Sequence, residues 1–189
     1  MIELKNVLSL FDKKLINLIN KNMKSKFMDR FMVIYTNVGS LLFVCSFTLA
    51  LIIFGKERVQ KAGVESAVTL IVSQGITYTL KMLLGRERPY NVLKDLNTYN
   101  IILKDYSFPS GHTSASFSIA TIIAFNMPQL SWFAIICALL VGISRIYLAV
   151  HYPTDVLAGI IIGVGTGIFT HLYFMNLLME IVSSFFLNN

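Results

Sequence analysis

The sequence predicts an all-α fold, a polytopic transmembrane helix bundle of five spans preceded by an amphipathic helix. Three observations predict it. First, 55% of the 189 residues are apolar and 14% are charged, with a mean hydropathy of +0.67. A soluble domain carries about 25% charged residues. Second, apolar runs of helical length recur along the chain, and about 20 helical residues cross a hydrocarbon core. Third, no linker, low-complexity stretch or internal repeat divides the chain. Residues 1–189 therefore read as a single membrane-embedded domain, with 1–28 as the amphipathic N-terminal helix and 31–179 as the transmembrane bundle.

Each element has its own signal. Residues 2–22 place Leu4, Leu8, Phe11, Leu15, Leu18 and Ile19 at helical spacing, with Lys5, Ser9, Asp12, Lys13, Asn17 and Lys21 on the other face. This segment is too charged to span, and is expected to lie at the interface or to cover the side of the bundle. Residues 31–54 carry no charge and form the first span. Residues 64–80 form the second, interrupted by Glu65 and Gln74, and a polar segment covers 85–108. Residues 110–126 make a short third span rich in Ser and Thr, followed by a turn at Met127, Pro128 and Gln129. Residues 130–150 make the fourth, which contains Arg145 and is broken by Pro153; residues 156–179 make the fifth. Gly159, Gly163 and Gly167 recur every four residues on that last span. Such spacing lets helices approach closely, and packing inside the bundle is the expected use, ahead of a dimer face.

Several function classes are set aside. The net charge of +6 raises nucleic acid, but no nucleic-acid motif is present and the cations form no single basic stripe. Anionic lipid is the more natural partner. Cys45 and Cys137 lie within apolar runs and suggest neither a disulfide framework nor a zinc site. Lys5, Asp12, Lys13 and Lys14 break any signal-peptide core, so insertion is expected to depend on internal spans.

Three polar clusters remain, and parity over five spans puts them on one membrane face. The first is Lys81, Arg86 and Arg88 in KMLLGRERP. Lys81 and Arg88 stand nearly two helical turns apart, so a continuing helix would point both the same way until Pro89. Two such cations suit a phosphate, Arg by binding two oxygens and Lys as a point charge. The second is Pro109-Ser110-Gly111-His112, where Ser110 is placed to cap the third span. Free backbone N–H groups at a helix N-terminus favour a phosphate. Gly111 lets the backbone come close, and His112 can give or take a proton. The third is Ser144-Arg145 with His151 and Asp155. An Arg at a bilayer centre costs roughly 2.5–3.5 kcal/mol, so Arg145 needs a partner or water. An Asp near a His can fix one tautomer and leave the other nitrogen free to attack. Taken singly, each cluster also has a structural reading: basic anchoring of a span end, a capped helix with an interfacial His, and an ion pair at a helix turn.

Together the clusters resemble the type 2 phosphatidic acid phosphatase family, membrane lipid phosphatases that share a catalytic core with the vanadium haloperoxidases. The family pattern is Lys, six residues, Arg-Pro; then Pro-Ser-Gly-His; then Ser-Arg, five residues, His, three residues, Asp. Every motif position matches, at Lys81, Arg88-Pro89, Pro109 to His112, Ser144-Arg145, His151 and Asp155. The resemblance implies a haloperoxidase-like core and hydrolysis through a phosphohistidine. His151 is the implied nucleophile, Asp155 its orienting group and His112 the proton-transfer group. Lys81, Arg88, Ser110, Gly111 and Arg145 are the implied phosphate ligands. No metal, cofactor or obligatory protein partner is implied, and Arg86 stays a secondary candidate. Many relatives carry a sixth span at the N-terminus, where this chain has only the amphipathic segment.

The expected function is a metal-independent phosphatase acting on a phosphorylated membrane lipid. Undecaprenyl diphosphate is slightly favoured over phosphatidylglycerophosphate and phosphatidic acid. A lipid phosphotransferase and a non-enzymatic phospholipid binder are the rivals. The expected location is the cell membrane, multi-pass, with the site on the extracytoplasmic face as the resemblance implies. The positive-inside tendency disagrees. With the three phosphate-ligand cations removed, Lys5, Lys13, Lys14, Lys21, Lys24, Lys26, Arg30, Arg86, Lys94 and Lys104 lie on the motif side, against Lys56, Arg58 and Lys61 on the other.

Overall fold

A computed structural model of the protein describes residues 2–177. It is helical, with no strand among the described residues. The helices are α1 (Ile2–Asn17), α2 (Lys26–Tyr35), α3 (Leu41–Phe54), α4 (Arg58–Leu84), the short α5 (Pro89–Val92), α6 (Gly111–Asn126), α7 (Ser131–Tyr147) and α8 (Pro153–Phe169). A π-helical turn, Leu18–Asn22, extends α1, and another, Thr170–Phe174, extends α8.

The bundle is built around α6, which packs against α3, α4, α7 and α8. Its Ser, Thr and Ala residues permit this, because small side chains let neighbouring backbones come close. Thr113, Ser114, Ala115, Ser118 and Ala120 are all buried. The glycines of α8 complete the fit. A Cβ at Gly159 would stand 2.7 Å from the Ser110 carbonyl oxygen, and one at Gly163 would stand 2.5 Å from that of Ser114. The four-residue glycine spacing is therefore used inside the bundle.

Three helical stretches are long and apolar enough to cross a membrane: Arg58–Val92, Pro128–Tyr147 and Pro153–Leu177. The expected first span is not continuous. Lys26–Gly39 and Leu41–Phe54 meet at a bend of 55°, the geometry of a broken span or a re-entrant loop. The break has a local cause. Ser40 takes an extended conformation and caps α3, accepting a hydrogen bond from the Phe43 N–H, while a 3₁₀ turn at Thr36–Gly39 closes α2. The expected third span, α6, rises only about 24 Å over its 16 residues. Surrounding helices, more than lipid, enclose it. Residues 178 and 179 of the expected fifth span lie outside the described residues.

Pro153 does not break the fourth helix. That helix has already ended at Tyr147, and Pro153 instead occupies the first turn of α8, where its missing N–H costs nothing. Both cysteines are free thiols.

The amphipathic segment packs on the motif end of the bundle. Ile16, Ile19 and Met32 form a core there with Tyr147, Leu148 and Val150. Asn20 fastens it, donating from Nδ2 to the Tyr147 carbonyl at 2.6 Å and accepting from the Asn97 N–H at 2.9 Å. The orientation departs from the simple amphipathic reading. Leu8, Phe11 and Leu18 face outward, while Asp12 is buried. The face that meets the protein is mixed, with Asp12 and Asn20 buried beside Ile16 and Ile19.

Candidate active site

The three motifs converge at one end of the bundle. Lys81, Arg88, Gly111, His112, Arg145 and His151 line a single pocket of about 280 Å³, with Asp105, Gln74 and Thr77 among their neighbours. The three motifs, far apart in sequence, are thus brought together in one place.

Lys81 and Arg88 meet there by a route other than a shared helix face. The helix stops at Leu84, because Gly85 adopts the left-handed conformation that ends α4. Arg88 stands at the start of α5 instead. The two cations converge on Asp105, whose carboxylate accepts from Lys81 Nζ and, at 2.7 Å, from Arg88 Nη2. Burial alone would raise the Asp105 carboxyl. The Lys81 hydrogen bond and the Arg88 charge outweigh it and hold the group down at about 2. Arg88 is buried and donates from Nη1 to the Val150 carbonyl at 2.7 Å.

The segment Pro109–His112 leads into α6 as expected. Ser110 occupies the N-cap position but makes no side-chain capping bond; its Oγ accepts from the Thr113 hydroxyl at 2.9 Å. Its backbone N–H donates to the Asp155 carbonyl at 3.0 Å, which ties the start of α6 to α8. At Gly111 an added Cβ would meet only ordinary contacts, Gln74 Oε1 at 3.4 Å and Thr77 Cγ2 at 3.7 Å. The protein's own packing does not demand glycine there.

Arg145 lies in the last turn of α7, buried, and donates from Nη1 to the Thr36 hydroxyl at 2.7 Å. Its Nε has no partner. The chain then turns sharply, with Ala149 at φ 56° and the Arg145 carbonyl accepting from both Val150 and His151 N–H groups. This turn swings His151 back over the pocket. His151 Nε2 faces Arg88 Nη1 at 3.4 Å, and Nδ1 faces Asp155 Oδ2 at 3.6 Å. The second distance is longer than a hydrogen bond, and Nδ1 has no other partner. Catalytic hydrogen bonds are often long before substrate binds. Burial pushes the His151 imidazole down to about 3 against the pull of Asp155, so the ring is neutral near pH 7.

Asp155 is held from several sides. Its Oδ2 accepts from the Ser107 hydroxyl and, at 2.8 Å, from the Tyr152 N–H, which caps α8. Its Oδ1 accepts from Arg86 Nη1 at 2.6 Å.

Sequence reasoning passed over Asp105, Ser107, Asp12 and Thr36, and ranked Arg86 second. Asp105 and Ser107 sit in the polar segment beside the second motif, which was the available signal. Asp12 and Thr36 carried none, since nothing local joins them to residues so far along the chain.

The family model described as the PAP2 superfamily matches residues 62–178. The chain is 30% identical to an undecaprenyl-diphosphatase of Sulfolobus acidocaldarius over 81% of its own length and 73% of that protein's. It is also 30% identical to the undecaprenyl-diphosphatase BcrC of Bacillus subtilis, over 82% of this chain and 79% of that one. Its structure superposes on the crystal structure of Aquifex aeolicus LpxE with a TM-score of 0.76 and 31% identity, covering 85% of this chain and 94% of that one.

Proposed function

The chain belongs to the PAP2 superfamily, and from that membership we propose that it is an integral membrane phosphatase acting on a phosphorylated lipid through a phosphohistidine. What carries the reading is the convergence of two histidines and three cations on one pocket.

Lys81, Arg88 and Arg145 hold the phosphate oxygens, helped by Ser110 and the free N–H at Gly111. The room left at Gly111 is space for the ligand. His151 attacks phosphorus through Nε2, the nitrogen that faces Arg88. As the new P–N bond forms, the bond from phosphorus to the leaving oxygen breaks, and His112 delivers the proton that oxygen needs. Asp155 stabilises the imidazolium through Nδ1. A water then gives its proton to His112 and attacks phosphorus, the P–N bond breaks, and inorganic phosphate leaves. The cations stabilise charge as it moves in both steps, the part that Mg²⁺ plays in many phosphoryl-transfer sites.

The lipid tail lies between helices. An apolar cavity of about 360 Å³ between α3, α6 and α7, lined by Val44, Phe47, Ile119 and Ala138 among others, suits a hydrocarbon chain. Undecaprenyl diphosphate is the favoured substrate, supported by the two undecaprenyl-diphosphatases to which the chain is similar.

The test is phosphate release from undecaprenyl diphosphate, phosphatidylglycerophosphate and phosphatidic acid in detergent, with EDTA present. Turnover is expected to persist in EDTA, to vanish in His151→Ala and nearly to vanish in His112→Ala, with both variants folded. Substantial release by purified His151→Ala protein refutes the nucleophile assignment.

A further inference from the structure

Asp155 is not held by α8 alone. Arg86 donates from Nη1 to Asp155 at 2.6 Å and to the Thr154 hydroxyl at 2.8 Å, and from Nη2 to Asp12 Oδ2 at 2.7 Å. Its guanidinium lies 3.9 Å over the Tyr152 ring. Asp12 also accepts from the Thr154 N–H at 2.9 Å and from the Thr154 hydroxyl at 2.7 Å. Both carboxylates are buried, Asp12 at 2% exposure and Asp155 at 0%.

A buried charge on a surface helix calls for an explanation. The helix α1 turns Val7, Leu10 and Phe11 outward, and an apolar residue at position 12 would seat it without desolvating a charge. The consequence lies in how one guanidinium serves two carboxylates. Paired with Asp155 alone, Arg86 would cancel most of the charge that His151 needs beside it. Shared with Asp12, it fixes Asp155 in place and leaves that carboxylate able to stabilise an imidazolium.

We infer that Asp12 and Arg86 are positioning residues for the His151–Asp155 pair, so that the N-terminal helix takes part in setting the nucleophile. The inference rests on His151 being the nucleophile. Around His151 the charged and titratable groups are Lys81 on α4, Arg88 after it, Asp105 in the following segment, His112 on α6, Arg145 on α7 and Asp155 on α8. Around Asp155 they are His151, Arg86 and the Tyr152 phenol; around Asp12 they are Arg86 and the same phenol, which also feels Glu87.

The signs follow from this arrangement. Asp12→Asn gives Asp155 the whole charge of Arg86, so the His151 imidazolium loses support. The acidic limb of kcat/KM against pH moves to lower pH, and kcat falls by roughly ten- to a hundredfold with KM nearly unchanged. Arg86→Gln frees Asp155, and the same limb moves to higher pH. Asp12→Glu keeps the charge and returns the limb toward its wild-type position. A merely structural role would not produce opposite displacements.

The experiment measures phosphate release by the full chain in detergent, with undecaprenyl diphosphate micelles as the probe and phosphatidic acid as the second, alongside thermal melting. His151→Ala is assayed first. If it still turns over, the nucleophile reading fails and takes the inference with it. If it is silent, a folded Asp12→Asn protein with wild-type kcat and an unmoved acidic limb overturns the inference alone. Should Asp12→Asn not fold, Arg86→Gln decides: an acidic limb that stays or moves down overturns it.

Discussion

Asp105 shows how one side chain can set the resting state of the pocket. Its carboxylate bridges Lys81 and Arg88, two cations proposed to hold phosphate, and its side chain is 57% exposed. A bound phosphate competes for the same donors. The cations are largely buried but the carboxylate is open to solvent, which screens the pairs and keeps the competition modest and reversible. Asp105→Asn is expected to tighten inhibition by inorganic phosphate by about two- to fivefold, measured as the inhibition constant. Weaker inhibition would mean that Asp105 instead holds the cations ready for the ligand. The pH dependence follows from its lowered carboxyl. The ionised form is present above the ordinary carboxylate range and is lost only as pH falls through about 2. The difference between wild type and variant is therefore expected to be the same throughout the neutral range.

At the scale of elements, the contact between α6 and α8 carries the site. It joins His112, at the start of α6, to Asp155, in the first turn of α8, through the Ser110 N–H and Asp155 carbonyl. Gly163 sits where the two helices come closest. An added Cβ would meet the Ser114 carbonyl oxygen at 2.5 Å and Phe117 Cβ at 2.8 Å. Neither can swing aside as a flexible side-chain end could, so Gly163→Ala is expected to cost about 1–3 kcal/mol and lower the melting temperature in detergent. A Cβ added at Gly165 would have nothing within 4 Å, and Gly165→Ala is expected to leave melting unchanged. Equal losses in both variants would mean that helix contact is not the cause. The same scale explains why a helical-face argument for Lys81 and Arg88 reaches the right pair by the wrong path. The left-handed Gly85 ends the helix, and a tertiary contact with Asp105 restores the convergence.

For the whole molecule, the distribution of cations bears on orientation. The amphipathic helix packs on the motif end, so its cations lie with the site. Nine cations outside the proposed phosphate ligands, from Lys13 to Lys104, then stand on that end, against Lys56, Arg58 and Lys61 on the other. The positive-inside tendency favours a cytoplasmic site, whereas the family resemblance implies an extracytoplasmic one, which we propose. Reporter fusions after residues 60 and 100 decide between them. A periplasmic signal at 100 and not at 60 is expected; the reverse pattern places the site inside.

By itself the sequence determined the membrane class, the approximate helices and the motif residues. Hydropathy and fixed local spacing are properties of contiguous chain, and Lys81, Arg88, Ser110 to His112, Arg145, His151 and Asp155 are legible one motif at a time. Only the tertiary structure decided the bend at Ser40, the inward turn of Asp12, the bridging by Asp105 and the use of the glycine face within the bundle. Each depends on groups far apart in sequence. Asp12 meets Thr154 across most of the chain, and Arg145 finds Thr36 in the broken first span. A buried charge must be satisfied by whatever packing brings near it, and no local pattern records which residue that will be.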